Sequence, residues 1–222
     1  MIVFDRVTKS YPLKGGERLT VLDDFSGTLP RGLNVGILGR NGAGKSTMMR
    51  LIAGSDAPTR GTVYRQGRIS WPLGFSGGIN PQITGRQNLA FIARLYRTDY
   101  DEVVRFVEDF AQIGRFMDEP VETYSSGMRA RLSFGVSMAI DFDYYLIDEV
   151  IGVGDSAFRK RCKAVLAERR ARATVLLVSH SSKLLKDFCD IGGVLSDGRL
   201  TFYDAIDEAI DVHSRNQKQL AI

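Results

Sequence analysis

Gly39-Arg40-Asn41-Gly42-Ala43-Gly44-Lys45-Ser46 is the stretch of this sequence whose residue types and spacing most directly imply chemistry. It fits the pattern G-x-x-x-x-G-K-[ST], preceded by the apolar run Leu33 to Leu38 and followed by a helical stretch from Thr47 to Ala53. Glycines let the backbone curl until consecutive N–H groups point inward. The helix behind them adds the positive end of its dipole, so the loop is suited to hold phosphate oxygens. Lys45 is placed to reach the β- and γ-phosphates of a nucleoside triphosphate, and Ser46 to offer a hydroxyl to Mg²⁺. A merely glycine-rich strand–turn–helix corner does not explain the lysine and the Ser46-Thr47 pair together.

Two further apolar runs end in groups that could serve the same ligand. Tyr144-Tyr145-Leu146-Ile147 ends in Asp148-Glu149, and Ala173 to Val178 ends in Ser179-His180. In an open parallel sheet the ligand lies beyond the carboxyl ends of the strands. Asp148 there supplies a carboxylate to Mg²⁺ through water, and Glu149 a group that accepts a proton from the attacking water or orients it. His180 taken alone reads more readily as a satisfied structural histidine. Tyr11, upstream of the glycine loop, is either an aromatic that stacks on a base or a packed surface residue.

Tyr124-Ser125-Ser126-Gly127-Met128 opens a helix that runs through Ala139, ahead of Asp148. A helix that opens with Ser and Gly can grip a phosphate through its first N–H groups, although an ordinary Ser N-cap looks the same. With the glycine loop and the strand ends in this order, the segment resembles the signature motif of ABC-family ATPases, over essentially the whole chain. The resemblance implies an α/β fold: a P-loop NTPase (RecA-like) core with an N-terminal antiparallel β subdomain and an inserted α-helical subdomain. It implies ATP held by Gly39, Asn41, Gly42, Ala43, Gly44, Lys45, Ser46 and Thr47, with Tyr11 stacked on adenine. It also makes Asp148 the Walker B carboxylate, Glu149 the catalytic base and His180 the sensor of the γ-phosphate. Gly152-Val153-Gly154-Asp155 stands where the family has its D-loop. Ser125, Ser126, Gly127 and Asp155 are therefore expected to address ATP bound to a second copy.

Two departures stand out. Ser126 and Met128 replace the usual Gly and Gln of the signature, and no Gln follows Trp71 where the family commonly has one. Gln82 is the remaining candidate for sensing Mg²⁺ and the membrane partner. The segment WPLGFSGGINPQITGRQN, together with YSSGM, is similar to the ATPase subunits of capsular polysaccharide exporters. O-antigen and teichoic acid exporters share this loop character, but O-antigen ATPases often add a C-terminal carbohydrate-binding domain, for which the short tail here leaves no room. The implied partners are a transmembrane permease, a second ATPase subunit in a two-plus-two homodimeric arrangement, and a lipid-linked polysaccharide handled by the complex. The implied location is the cytoplasmic face of the bacterial inner membrane. A soluble ABC-type ATPase acting on nucleic acid or ribosomes usually fuses two cassettes or carries long coiled-coil insertions. A P-loop kinase leaves the signature helix without a role.

The elements that must position these residues alternate between strand and helix, which argues for parallel core strands. Residues 2–8 and 19–29 read as antiparallel strands, and Gly61 to Trp71 as a hairpin turning at Gln66-Gly67. Gly74 to Gln82 reads as a flexible loop exposing Phe75, Ile79 and Pro81. From Thr84 to about Ile140 the period is helical, which puts the helical subdomain at about 83–140 and the core at about 1–72 and 141–222. A basic helix at about 156–171, a hairpin turning at Asp197-Gly198 and a polar helix fading into disorder after Asp204 complete the reading. A chain of 222 residues with 44% hydrophobic content can bury one domain's core with an insertion. The net charge of +4 comes from scattered Lys and Arg. The clusters Arg159 to Lys163 and Arg169 to Arg172 lack the interleaved aromatics of a nucleic-acid surface. Cys162 and Cys189 have no metal-ligand spacing and read as reduced thiols. No apolar run approaches the roughly 18 residues of a membrane span.

Overall fold

The computed structural model describes residues 1–73, 78–148 and 155–219, leaving out the side chains of Lys218 and Gln219. The chain divides into two compact units. The first comprises Met1–Pro72, Asp143–Glu149 and Arg172–Ile222, and the second Leu73–Phe142 and Val150–Ala171.

In the first unit, β1 (Ile2–Pro12), β2 (Arg18–Leu29) and β4 (Arg60–Arg65) form an antiparallel sheet in the order β2-β1-β4. Between β2 and β4 come β3 (Val35–Gly39) and helix α1 (Lys45–Ala53). A second sheet has the order β5-β6-β3-β7-β8, built from β5 (Tyr144–Asp148), β6 (Thr174–Val178), β7 (Ile191–Ser196) and β8 (Arg199–Tyr203). β5, β6, β3 and β7 pair in parallel and β8 closes the edge antiparallel to β7. All five residues of β3 and of β6 are buried, which is why these segments read as unbroken apolar runs rather than alternating ones. Met48, Met49, Leu51 and Ile52 of α1 are fully buried in one cluster with Phe4 and Leu22 of the antiparallel sheet and Ile37 and Leu176 of the parallel one.

The expected hairpin at 61–71 does not form. Gly67 turns, with φ +104, but β4 pairs with β1 through Ile2↔Arg65 and Phe4↔Val63, and the next residues cross to the other sheet, where Ile69 bridges Tyr144. The Asp143 carboxylate accepts from the Arg68 N–H at 2.8 Å and fixes that crossing. A turn signal specifies a reversal, not the partner of the strand that follows it.

Helix α6 (Ser182–Phe188), which the sequence reading did not separate, is capped by Ser181 and buries Leu185 and Phe188. The C-terminal helix α7 (Ile206–Gln219) is helical throughout the described tail instead of fading. It buries Ile206, Ala209 and Ile210. Gly36 and Gly192 allow this approach, since a Cβ at Gly192 would lie 2.2 Å from the Ala209 Cβ and one at Gly36 2.6 Å from the Ile206 Cδ1.

The second unit is helical: α2 (Gly85–Tyr96), α3 (Tyr100–Ala111), α4 (Ser126–Ala139) and α5 (Ser156–Arg170), with two short 3₁₀ turns between α3 and α4. A capping box between Thr84 and Gln87 opens α2, and Asp99 caps α3. Phe110, Phe134 and Phe158 meet at centroid distances of 5.2–6.4 Å and join α3, α4 and α5. Arg161 on α5 donates to the Asp109 and Phe110 carbonyls at the end of α3. Placed by periodicity in the strand–helix core, α5 thus clusters with the helices.

We expect Gly192→Val to destabilise the chain by about 1–3 kcal/mol, because the added carbons collide with α7 and not with a flexible side chain. A denaturation midpoint equal to that of the unsubstituted chain would contradict the α7 packing.

Candidate nucleotide site and signature cleft

β3 ends at Gly39, and the chain turns through Ala43 N–H donating to the Arg40 carbonyl at 3.1 Å before entering α1. Gly44 is the N-cap of α1 at φ 103 and ψ 11, and no side chain caps that end. Two constraints require glycine there: the left-handed backbone, and a Cβ that would sit 2.0 Å from Val21 Cγ1 on β2. The first turn of α1 thus presents its backbone N–H groups without a side-chain acceptor over them, an arrangement suited to an anion. Lys45 folds along the loop, and its Nζ donates to the Gly39 and Arg40 carbonyls at 2.8 and 2.9 Å. Met48 N–H donates to the Gly44 carbonyl at 2.8 Å and begins the helical ladder.

The Ser46 hydroxyl donates to Asp148 Oδ2 at 2.8 Å, which joins the start of α1 to the end of β5. Asp148 lies opposite Val178 in the β5–β6 register, so His180 stands just past the neighbouring strand end. A cleft of about 410 Å³ is lined by Tyr11, Leu19, Val21, Asn41, Gly42, Gly44, Lys45, Ser46, Thr47, Asp148 and His180. Tyr11, much of the glycine loop, the Asp148 carboxylate and His180 therefore surround one space. Gly39 and Ala43 belong to the same loop but are not among its lining residues. Thr47 is buried, and its Oγ1 accepts from Arg50 at 3.0 Å and lies 3.4 Å from the Tyr11 hydroxyl. Glu149, the expected base, lies outside the described residues.

Two lining residues were not singled out in the sequence. Leu19 is directly across from Tyr11 in the β1–β2 register and half exposed, and Val21 is buried where that register shifts. Only the register shows that Leu19 faces Tyr11, because the partner strand is not written in the local pattern. His213 on α7 was also missed. Burial first, then the charges of Lys45 and His180, hold its imidazole below the ordinary histidine value.

In the helical unit a second cleft of about 430 Å³ is lined by Gln112, Ile113, Phe116, Ser125, Gly127, Met128, Arg131 and Asp155. It brings Ser125, Gly127 and Asp155 together, whereas Ser126 is exposed without being part of its lining. Ser125 is the N-cap of α4, its Oγ accepting from the Met128 N–H at 3.2 Å. Asp155 caps α5 by accepting from the Phe158 N–H at 2.8 Å and pairs with Arg131, whose guanidinium lies 5.0 Å from the Phe158 ring centroid. The Phe158 N–H foremost, and Arg131 as well, hold the Asp155 carboxyl below the ordinary carboxylate range, against a smaller opposing effect of desolvation. Gln82 is exposed and donates from Nε2 to Glu122 Oε2 at 2.8 Å.

Residues 22–152 match the family profile described as ABC transporter. The chain belongs to the ABC transporter family. This ABC chain is an ATPase subunit that binds nucleotide. It is 48% identical over 214 residues to the capsule polysaccharide export ATP-binding protein CtrD of Neisseria meningitidis serogroup B, covering 96% of this chain and 99% of that protein. It is 47% identical over 218 residues to the ATP-binding protein BexA of Haemophilus influenzae, covering 98% of this chain and all of that one (100%). The O-antigen export ATP-binding protein RfbB of Klebsiella pneumoniae stands further off, at 35% over 211 residues, covering 93% of this chain and 86% of that one. In fold, the chain superposes with a TM-score of 0.78 on a dimeric ATP-binding cassette solved in a post-hydrolysis state bound to ADP and Pi. That match covers 92% of this chain and 98% of the other at 22% identity. Among the described residues no helix is long and apolar enough to cross a membrane.

Lys45→Ala removes the cation at the cleft while leaving the glycine loop's backbone intact. A hydrogen bond to a charged group contributes about 1.5–3 kcal/mol, so ATP affinity should fall by about ten- to a hundredfold in equilibrium titration. Unchanged affinity would contradict the placement of the triphosphate in this cleft.

Proposed function

We propose that this ABC ATPase powers export of a lipid-linked capsular polysaccharide through a separate transmembrane permease, working as a homodimer at the cytoplasmic face of the inner membrane. The observation that carries the reading is near-full-length similarity, at 48% identity, to a protein named for capsule polysaccharide export. The larger distance to RfbB, at 35% identity, supports capsule over O-antigen as the class of cargo.

In the proposed mechanism the N–H groups of the glycine loop and of the α1 N-terminus hold the phosphates, and Tyr11 with Leu19 receives the base. Lys45 exchanges its bonds to the Gly39 and Arg40 carbonyls for β- and γ-phosphate oxygens. Ser46 Oγ and the Asp148 carboxylate already meet at 2.8 Å, and as hard oxygen donors they fit Mg²⁺. Mg²⁺ held there would supply charge neutralisation to the triphosphate. Glu149 follows Asp148 in sequence and orients the attacking water or accepts its proton, while His180 contacts the γ-phosphate. Ser125, Ser126, Gly127 and Asp155 of a second copy complete the site from the opposite side. Gln82 is the candidate link to Mg²⁺ and the permease, and using it this way requires exchanging its bond to Glu122 for another partner. The loop of Phe75, Ile79 and Pro81 is the surface that meets the permease in this reading; Ile79 is half-buried and Pro81 exposed, and Phe75 lies outside the described residues.

The test uses the assembled transporter. Glu149→Gln should leave ATP binding near normal and lower hydrolysis by about 10²–10⁴, since the amide cannot take the proton. Cells carrying it should lack surface polysaccharide, and the ATPase should still co-purify with the permease. Near-normal steady-state hydrolysis would remove Glu149 from the role of base. Normal capsule in cells lacking this chain would contradict the export function.

A further inference from the structure

Behind the proposed base shelf lies a polar cluster that the phosphate chemistry does not use. Asp56, in the turn between α1 and β4, accepts the Tyr11 hydroxyl on Oδ2 at 2.8 Å. Its other oxygen, Oδ1, accepts Lys9 Nζ at 2.6 Å, and the same ammonium donates to the Ala57 carbonyl at 2.8 Å. Lys9 Nζ also lies 4.8 Å from the Tyr11 ring centroid, so the ring carries a cation against it while still lining the cleft. Arg50 Nη2 donates to the Tyr11 hydroxyl at 3.2 Å and to Thr47 Oγ1 at 3.0 Å. The Lys9 and Asp56 side chains are only 11% and 23% exposed.

We propose that Asp56 is a positioning residue for the nucleotide base, holding Tyr11 by its hydroxyl and, through Lys9, by its ring before the nucleotide arrives. This rests on the reading that Tyr11 receives the base. A free tyrosine ring must be ordered when a base stacks on it. Here the hydroxyl is fixed by a charge-assisted bond, and the ammonium held by the same carboxylate lies over the ring. The side-chain hydrogen bonds of Asp56 and Lys9 run to each other, to the Ala57 carbonyl and to Tyr11, so their effect falls on the base and not on the phosphates. The Lys9 ammonium foremost, together with the Tyr11 hydroxyl, holds the Asp56 carboxyl below its ordinary value against burial, so it remains an acceptor at neutral pH.

The experiment compares affinity for ATP with affinity for inorganic tripolyphosphate, which has no base, in the full-length subunit. Ordering one side chain on binding costs about 0.5–1.5 kcal/mol, so Asp56→Asn should weaken ATP by about two- to tenfold and leave tripolyphosphate unchanged. Tyr11→Phe removes only the hydroxyl and leaves the Lys9–Asp56 pair in place, so it should give the same selective loss even if Asp56→Asn folds poorly. In a Tyr11→Ala background, Asp56→Asn should have no further effect on ATP. Equal weakening of both ligands by Asp56→Asn, or wild-type ATP affinity in Tyr11→Phe, would overturn the positioning role. If Tyr11→Ala itself left ATP affinity unchanged, the base would not sit on Tyr11, and the placement of the base and the role of Asp56 would fall together. Loss in Tyr11→Ala alone would keep the base on Tyr11 and remove Asp56.

Discussion

The close approach of Gly44 to Val21 is the contact on which the nucleotide site depends. A Cβ at Gly44 would overlap Val21 Cγ1 at 2.0 Å, and the residue's φ of +103 excludes most side chains independently. Because glycine is the only residue that fits, α1 begins without a side-chain cap, and its first N–H groups are left for an anion. The same contact seats the antiparallel sheet against the loop. Val21 is two residues from Leu19, and Leu19 faces Tyr11 across the β1–β2 register, so the uncapped start of α1 and the Tyr11–Leu19 wall of the cleft are set together.

The two helices that carry the motifs begin differently, and the difference has a chemical consequence. At α1 the cap is glycine, whereas at α4 the Ser125 hydroxyl accepts the Met128 N–H. Helix α4 is therefore capped by its own Ser125, and Gly127 in its first turn lines a cleft together with Asp155, the cap of α5. Asp155 is held there by the α5 N–H and by Arg131, so its carboxylate is already fixed in direction.

Features written in contiguous residues were legible in the sequence. The glycine loop, the Asp148 and His180 strand ends, the turn at Asp197-Gly198 and the helical block after Thr84 all depend on local spacing. What was not legible depends on remote partners. The chain after Gly67 crosses to Tyr144 because Asp143, far along the sequence, accepts from Arg68. Helix α7 looked like a polar tail because, among its described residues, the buried ones are Ile206, Ala209 and Ile210, and the glycines that admit Ile206 and Ala209 are on β3 and β7. Helix α5 looked like part of the core alternation, yet Phe158 and Arg161 tie it to α3 and α4. Leu19 could be recognised as a cleft residue only once its register with Tyr11 was known.

The central claim is that hydrolysis needs the glycine loop of one copy and the signature cleft of another. The most direct measurement is the specific ATPase activity of the purified full-length subunit across a wide range of protein concentration, with its mass followed in parallel. The account predicts activity per subunit that vanishes as the protein dilutes to monomer and rises with the dimer fraction. Constant activity per subunit down to concentrations where only monomer is present would contradict it.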